Sequence, residues 1–236
     1  MIVMKRIFAG LLILCLLCTL AACSTSKDEQ HPEHYNTLYN AIGKSMEAAL
    51  EAMDASVSGL SPDYIGLYHI PVSVKFCGMT FDSIVLAPGT NGWLGKYTYN
   101  ATLNGDAGNI AAELSDFALS LHKIHGTTRT EMTDDPDAPS FEEVFSPENL
   151  SQWLANDDST SMKFYWVLDD IKTDAAKAYR DALVAASSNK YAQYRENLGL
   201  WLKLSVAKNK DGSVSVFLAY ETYAPVGELI ISQPET

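Results

Sequence analysis

The sequence predicts a single α+β domain, a mostly antiparallel sheet with a long N-terminal helix and further helices packed on it. Three observations predict it. Tyr35, Leu38, Tyr39, Ile42, Met46, Ala49, Leu50, Met53 and Val57 recur at steps of three and four, the stripe of a one-faced helix. Near the other end, Leu200, Leu202, Leu204 and Val206 alternate with less apolar neighbours. After Asp211-Gly212 the alternation resumes at Val214, Val216, Leu218 and Tyr220, a strong hairpin signal. Third, the segments run helix, three strands, two helices, strand, two helices, three strands, which fits α+β better than a regular βαβ alternation. The chain has 236 residues, 47% apolar and 19% charged, too apolar for intrinsic disorder and sized for one domain.

The elements follow in order. Pro32 suits the first helical position, and the first helix should run to about Val57, before Gly59. Val72, Val74 and Phe76 alternate with Ser73, Lys75 and Cys77, so one strand face is buried and Cys77 belongs mostly to the interior. Gly78-Met79 turns the chain into a partner strand, Thr80–Ala87. A glycine-rich loop, Pro88–Gly95, leads to a third strand, Lys96–Leu103. Asn109 should cap a helix to about Lys123 that places Ile110, Leu114, Phe117, Leu121 and Ile124 on one face. Residues 127–140 are polar and broken by proline, so they read as an exposed loop. Ser146-Pro147-Glu148 starts a short helix to about Asn156. Met162–Leu168 reads as a buried strand, Thr173–Ala186 as a helix, and Asn189–Asn197 as another or its continuation. Glu228–Ser232 adds a last strand, and no internal repeat is present.

The first residues are of another kind. Lys5 and Arg6 precede an apolar run, Ile7–Leu20, and the small residues Ala21 and Ala22 lead to Cys23. A basic start, a short apolar stretch and a small-residue cleavage zone make a secretory signal. As a helix the run reaches only ~21 Å, short of a ~30 Å hydrocarbon core.

Leu20-Ala21-Ala22-Cys23 resembles the lipobox of bacterial lipoprotein precursors. The resemblance covers residues 1–23 and implies a processing class. The Cys23 thiol receives a diacylglyceryl group, residues 1–22 are removed, and the new amino terminus is open to acylation. Two or more acyl chains anchor stably where one is marginal. Ser24, where the sorting rule of two-membrane bacteria looks for Asp, favours the outer membrane; in a one-membrane organism the protein sits outside the plasma membrane. The domains are then a signal peptide (1–22), the lipidated Cys23 with a polar tether (23–31), and a single α+β domain (32–236). The eight residues Ser24–His31 reach at most ~28 Å, which keeps the body near the bilayer.

Removing residues 1–22 takes the formal charge from −12 to −14. Such an acidic chain, with four Arg in all, lacks the basic face that nucleic acid requires. The charge serves solubility first, with cationic partners second. With Cys23 lipidated, Cys77 is the one thiol left, so no intrachain disulfide forms.

Chemistry is sparse. Ser-x-x-Lys occurs at Ser120, Ser187 and Ser205, but the Ser-Asp-Asn and Lys-Thr-Gly companions of penicillin-binding proteins are missing. His122 and His125, three apart on one helix, are the candidate metal ligands, and a zinc site would still need a third. The bland alternative is a polar helix end. Asn104–Asn109 and the acidic run Asp134–Asp137 with Glu142 and Glu143 supply oxygens without the calcium-loop rhythm. Trp93 in the glycine-rich loop, with Tyr97 and Tyr99 beyond it, is the candidate ligand platform, against the alternative of a Trp folded back over the sheet. No phosphate loop, nucleotide fingerprint or Gly-x-Ser-x-Gly is found, and no cofactor is expected.

These features predict a lipid-anchored cell-envelope lipoprotein on the extracytoplasmic side, a non-enzymatic module that binds a protein or a small molecule. Two readings stand beside it. One is a substrate-capture lipoprotein of a transporter. The other is a metal- or thiol-dependent hydrolase using His122, His125 or Cys77.

Overall fold

Six strands form one sheet in the order β1-β2-β3-β6-β5-β4, antiparallel throughout the described residues. They are β1 (Tyr68–Phe76), β2 (Met79–Pro88), β3 (Leu94–Leu103), β4 (Ser161–Asp169), β5 (Leu200–Lys208) and β6 (Val214–Glu221). The helices are α1 (Tyr35–Ala41), α2 (Met46–Ala52), α3 (Ala107–His125), α4 (Phe141–Val144), α5 (Pro147–Ala155) and α6 (Asp174–Ala186). This computed structural model describes residues 30–53, 60–89, 92–128, 139–156, 161–169, 173–186 and 200–222. The expected signal peptide, Cys23, most of the tether, the acidic run Asp134–Asp137, the helix Asn189–Asn197 and the strand Glu228–Ser232 lie outside the described residues. The predicted α+β architecture with an antiparallel sheet is the observed one.

One face of the sheet is the core face. Register aligns Ile84, Tyr99, Leu218, Leu204 and Phe164 in one row across five strands. Leu86, Tyr97, Tyr220, Leu202 and Trp166 form the next. These residues join one cluster with Leu38 and Ile42 near α1, with Leu114, Phe117 and Leu121 of α3, and with Phe141 and Phe145 near α4. Phe117 meets Phe81 edge-on at 5.7 Å, and Phe141 meets Phe164 at 4.9 Å. Each such side chain removed from water contributes ~1.5–3 kcal/mol.

Two expectations about the helices need correction. The helix predicted from Pro32 to Val57 is two helices over its described part. The apolar spacing runs on unbroken, but Gly43 (φ +78°) stops α1, and the Ser45 hydroxyl accepts from Ala48 N–H to start α2. Gly43 N–H donates to Leu94 O and Leu94 N–H to Lys44 O, so the break is stitched to β3. A Cβ at Gly43 would also strike the backbone of Ala175, which fixes glycine there. Second, Asp106 rather than Asn109 caps α3, accepting from Asn109 N–H at 3.0 Å. Ser140 caps α4, Ser146 caps α5 with Pro147 in the first turn as read from the sequence, and the Thr173 hydroxyl accepts from Ala176 N–H at the start of α6.

The place of Cys77 differs from its expectation. β1 ends at Phe76, and Cys77 (φ +50°) with Gly78 (φ +83°) makes the hairpin turn to β2. Positive φ at both positions matches the twist of the flanking strands. Its side chain is partly buried and packs against the core, as expected of a mostly interior thiol. Among the described residues no helix is long and apolar enough to cross a membrane.

Candidate functional site

The second face of the sheet carries the opposite residues of the same strands. His69, Val85, Thr98, Ala219, Lys203 and Tyr165 form one row. Ala87, Lys96, Glu221, Trp201 and Val167 form the next. Val85, Tyr165, Trp201 and Ala219 are buried, yet they lie outside the core cluster. Strand pairing therefore builds a second, smaller buried layer, and unlike the core it contains charge.

Glu221 is the centre of that charge. Its side chain is 9% exposed, and Lys96 Nζ lies 2.6 Å from Oε1. Lys203 Nζ lies 4.0 Å from the same oxygen and 5.3 Å from the centre of the Tyr165 ring. The pairing is dictated by register, since Lys96 and Glu221 are direct partners across β3 and β6, and Lys203 is diagonal to Glu221 on β5. Two ammonium groups thus share one carboxylate. Beside them is a cavity of about 370 Å³ lined by His69, Val85, Lys96, Asn100, Lys203 and Phe217, among others. That volume falls in the range of small-molecule sites. Phe217 is 36% exposed at its edge. Asn100 Oδ1 is buried with no hydrogen-bond partner among the described residues.

The rim at β1 is held by Asp63. Its Oδ1 accepts from Ile65 N–H at 3.0 Å and Leu67 N–H at 2.9 Å, and Oδ2 lies 3.0 Å from His69 Nε2. The Leu67 N–H foremost, with help from His69, holds the Asp63 carboxyl below the usual carboxylate range. This turn lifts Tyr64 and Ile65 into solvent, 97% and 60% exposed.

The residues singled out in the sequence lie elsewhere. Tyr97 and Tyr99 are 0% exposed on the core face, so they cannot stack on a ligand arriving from solvent, and the expectation of a Trp93–Tyr97–Tyr99 platform is corrected. Their alternation with Lys96, Thr98 and Asn100 turned the rings inward. Trp93 is half-buried and folds back, 6.2 Å from the Tyr179 ring of α6.

His122 and His125 share a helix but not an environment. His122 stacks on Phe141 at 4.7 Å and its Nε2 lies 3.0 Å from Glu142 Oε1. His125 turns toward His31, 5.6 Å between ring centres, and toward Trp166. Among the described residues no group of three or more His, Cys, Asp or Glu is placed to hold a metal ion.

His125 instead belongs to an aromatic joint where the chain enters the domain. His31 stacks on Tyr35 at 3.7 Å and meets Tyr220 edge-on at 6.0 Å. Tyr97 lies parallel to Tyr220 at 5.0 Å, and Tyr99 donates its hydroxyl to Glu33 O at 2.8 Å. Burial lowers both imidazoles to about 4, with His31 adding to the effect at His125. Burial pushes the Tyr97 and Tyr220 phenols well above their usual range, so the joint is uncharged at neutral pH. Its chemistry is packing.

No protein-family model, curated protein or solved structure matches the chain.

Sequence reasoning missed Lys96, Lys203, Glu221 and Asn100. The signal was present in part, as polar residues alternating with the apolar ones in three strands. The missing information was that β3 lies beside β6, which brings Lys96 to Glu221.

Proposed function

We propose that the protein is a lipid-anchored, extracytoplasmic binding module of a bacterial cell envelope, with the second sheet face as its binding surface. The observation that carries the anchor is the order of residues 5–23, a basic start, an apolar run, Ala21-Ala22 and Cys23. The binding role is supported by a cavity of small-molecule size on a sheet face whose buried layer is separate from the core. A single sheet does not favour the two-lobed transporter reading, and His122 and His125 face different partners.

Fractionation of cells expressing the full chain tests the anchor. The wild-type protein partitions with membranes and enters detergent phase, and Cys23→Ser does not enter it. Equal partitioning of the two contradicts the reading.

A further inference from the structure

We infer that the cavity on the second sheet face binds a small organic monoanion, a carboxylate carried on an apolar body. The inference rests on reading this face as a binding surface, and adds the class of its ligand.

The wall lysines set the sign. Lys96 and Lys203 both line the cavity, and among the described residues Glu221 is the one carboxylate that pairs with them. His69, the other basic side chain lining it, is hydrogen-bonded to Asp63 at the rim. Two ammonium groups that share one carboxylate are complementary to one further carboxylate.

Lys203 is the group left wanting. Its side chain is only 17% exposed, and Lys96 sits closer to the shared carboxylate, 2.6 Å against 4.0 Å. Lys203 Nζ makes no hydrogen bond among the described residues. Its ammonium lines the cavity with N–H donors unused, which favours an incoming oxygen anion. Asn100 Oδ1, also unpartnered, adds an acceptor on the neighbouring row of the same wall. Val85, Ala219 and Phe217 supply the apolar contact for the rest of the molecule.

Octanoate is the probe. The full chain is held in phosphatidylcholine nanodiscs, with empty nanodiscs as blank, and heats of binding are measured. The expected result is one site per chain for octanoate, at least tenfold weaker binding of octanol, and no binding of inorganic phosphate at equal concentration. Lys203→Met weakens octanoate at least tenfold, whereas Lys210→Met, in the β5–β6 turn, leaves it within twofold. Octanol equal to octanoate, or phosphate tighter than octanoate, overturns the monoanion class while leaving the face as a binding surface. Absence of octanoate and octanol binding at millimolar concentration overturns the ligand and the binding surface together. The comparison of octanoate with octanol uses the wild-type chain, so it decides the matter even if Lys203→Met fails to fold. None of these outcomes touches the anchor, which cell fractionation tests separately.

Discussion

The His31 ring lies flat on Tyr35, 3.7 Å between centres and 13° between planes, at the point where the chain enters the domain. That stack, closed by His125 and Tyr220, has no place for a charged imidazole.

Stability should therefore depend on pH in a defined window. Both imidazoles sit at about 4 in the fold against about 6.5 in an unfolded chain. Between those values the unfolded chain binds more protons, so stability rises with pH. The contribution is full above about pH 6.5 and lost as pH falls toward 4. The full shift of each ring corresponds to at most ~3 kcal/mol, and partial exposure trims this to about 1–2 kcal/mol. Urea midpoints measured from pH 7 to pH 4 should fall, and His31→Phe should flatten the slope. A slope unchanged in His31→Phe contradicts this account of the joint. Asp63 and Asp211, both held low by hydrogen bonds, act in a separate window, below the ordinary carboxylate range.

Gly89 and Gly95 form a cradle for the Tyr179 phenol, since a Cβ on either would run into it. Gly95→Ala should cost about 1–3 kcal/mol by overpacking. The penalty should shrink when Tyr179 is also truncated to Ala, because the two changes share one clash. Denaturant midpoints of the four proteins in the cycle check this. Additive costs would mean that Tyr179 does not seat against Gly95.

Trp166 Nε1 donates to Gly126 O at 2.8 Å, tying β4 to the end of α3. Trp166→Phe should cost about 1 kcal/mol for that bond plus some packing. Phe117→Ala, which empties the centre of the core, should cost about 3–5 kcal/mol. Chemical denaturation ranks the two, and a Trp166→Phe penalty exceeding that of Phe117→Ala would place the core elsewhere.

Glu221 is shared by two lysines. Glu221→Gln should destabilise by about 1–3 kcal/mol, because Lys96 and Lys203 lose their common anion and face each other uncompensated. Adding Lys203→Met to Glu221→Gln should recover part of the loss, since it removes the unpaired charge. Thermal unfolding of the single and double variants measures it. A double variant less stable than Glu221→Gln alone counts against the shared-carboxylate arrangement.

Local patterns in the sequence are legible where one element determines itself. The β5–β6 hairpin follows from period-two alternation around Asp211-Gly212, and the Asp211 carboxylate does take Ser213 N–H and hydroxyl in that turn. The α3 stripe was equally plain. The break at Gly43 was hidden because α1 and α2 use the same face, so the apolar spacing runs on through it. Its punctuation, a glycine followed two residues later by a capping serine, was there to be read. The candidate site was illegible for a different reason. Lys203 and Glu221 share the legible β5–β6 hairpin, but Lys96 comes from β3, far away in the chain, and only the order β3-β6-β5 joins it to them. Tyr97 and Tyr99 drew attention as aromatics, when their polar neighbours in the strand faced the cavity.

Incorporation of radiolabelled palmitate tests the central claim most directly. Cells expressing the full chain should place label on the wild-type protein and none on Cys23→Ala. Equal labelling of the two, or no label on the wild type, contradicts lipid anchoring at Cys23.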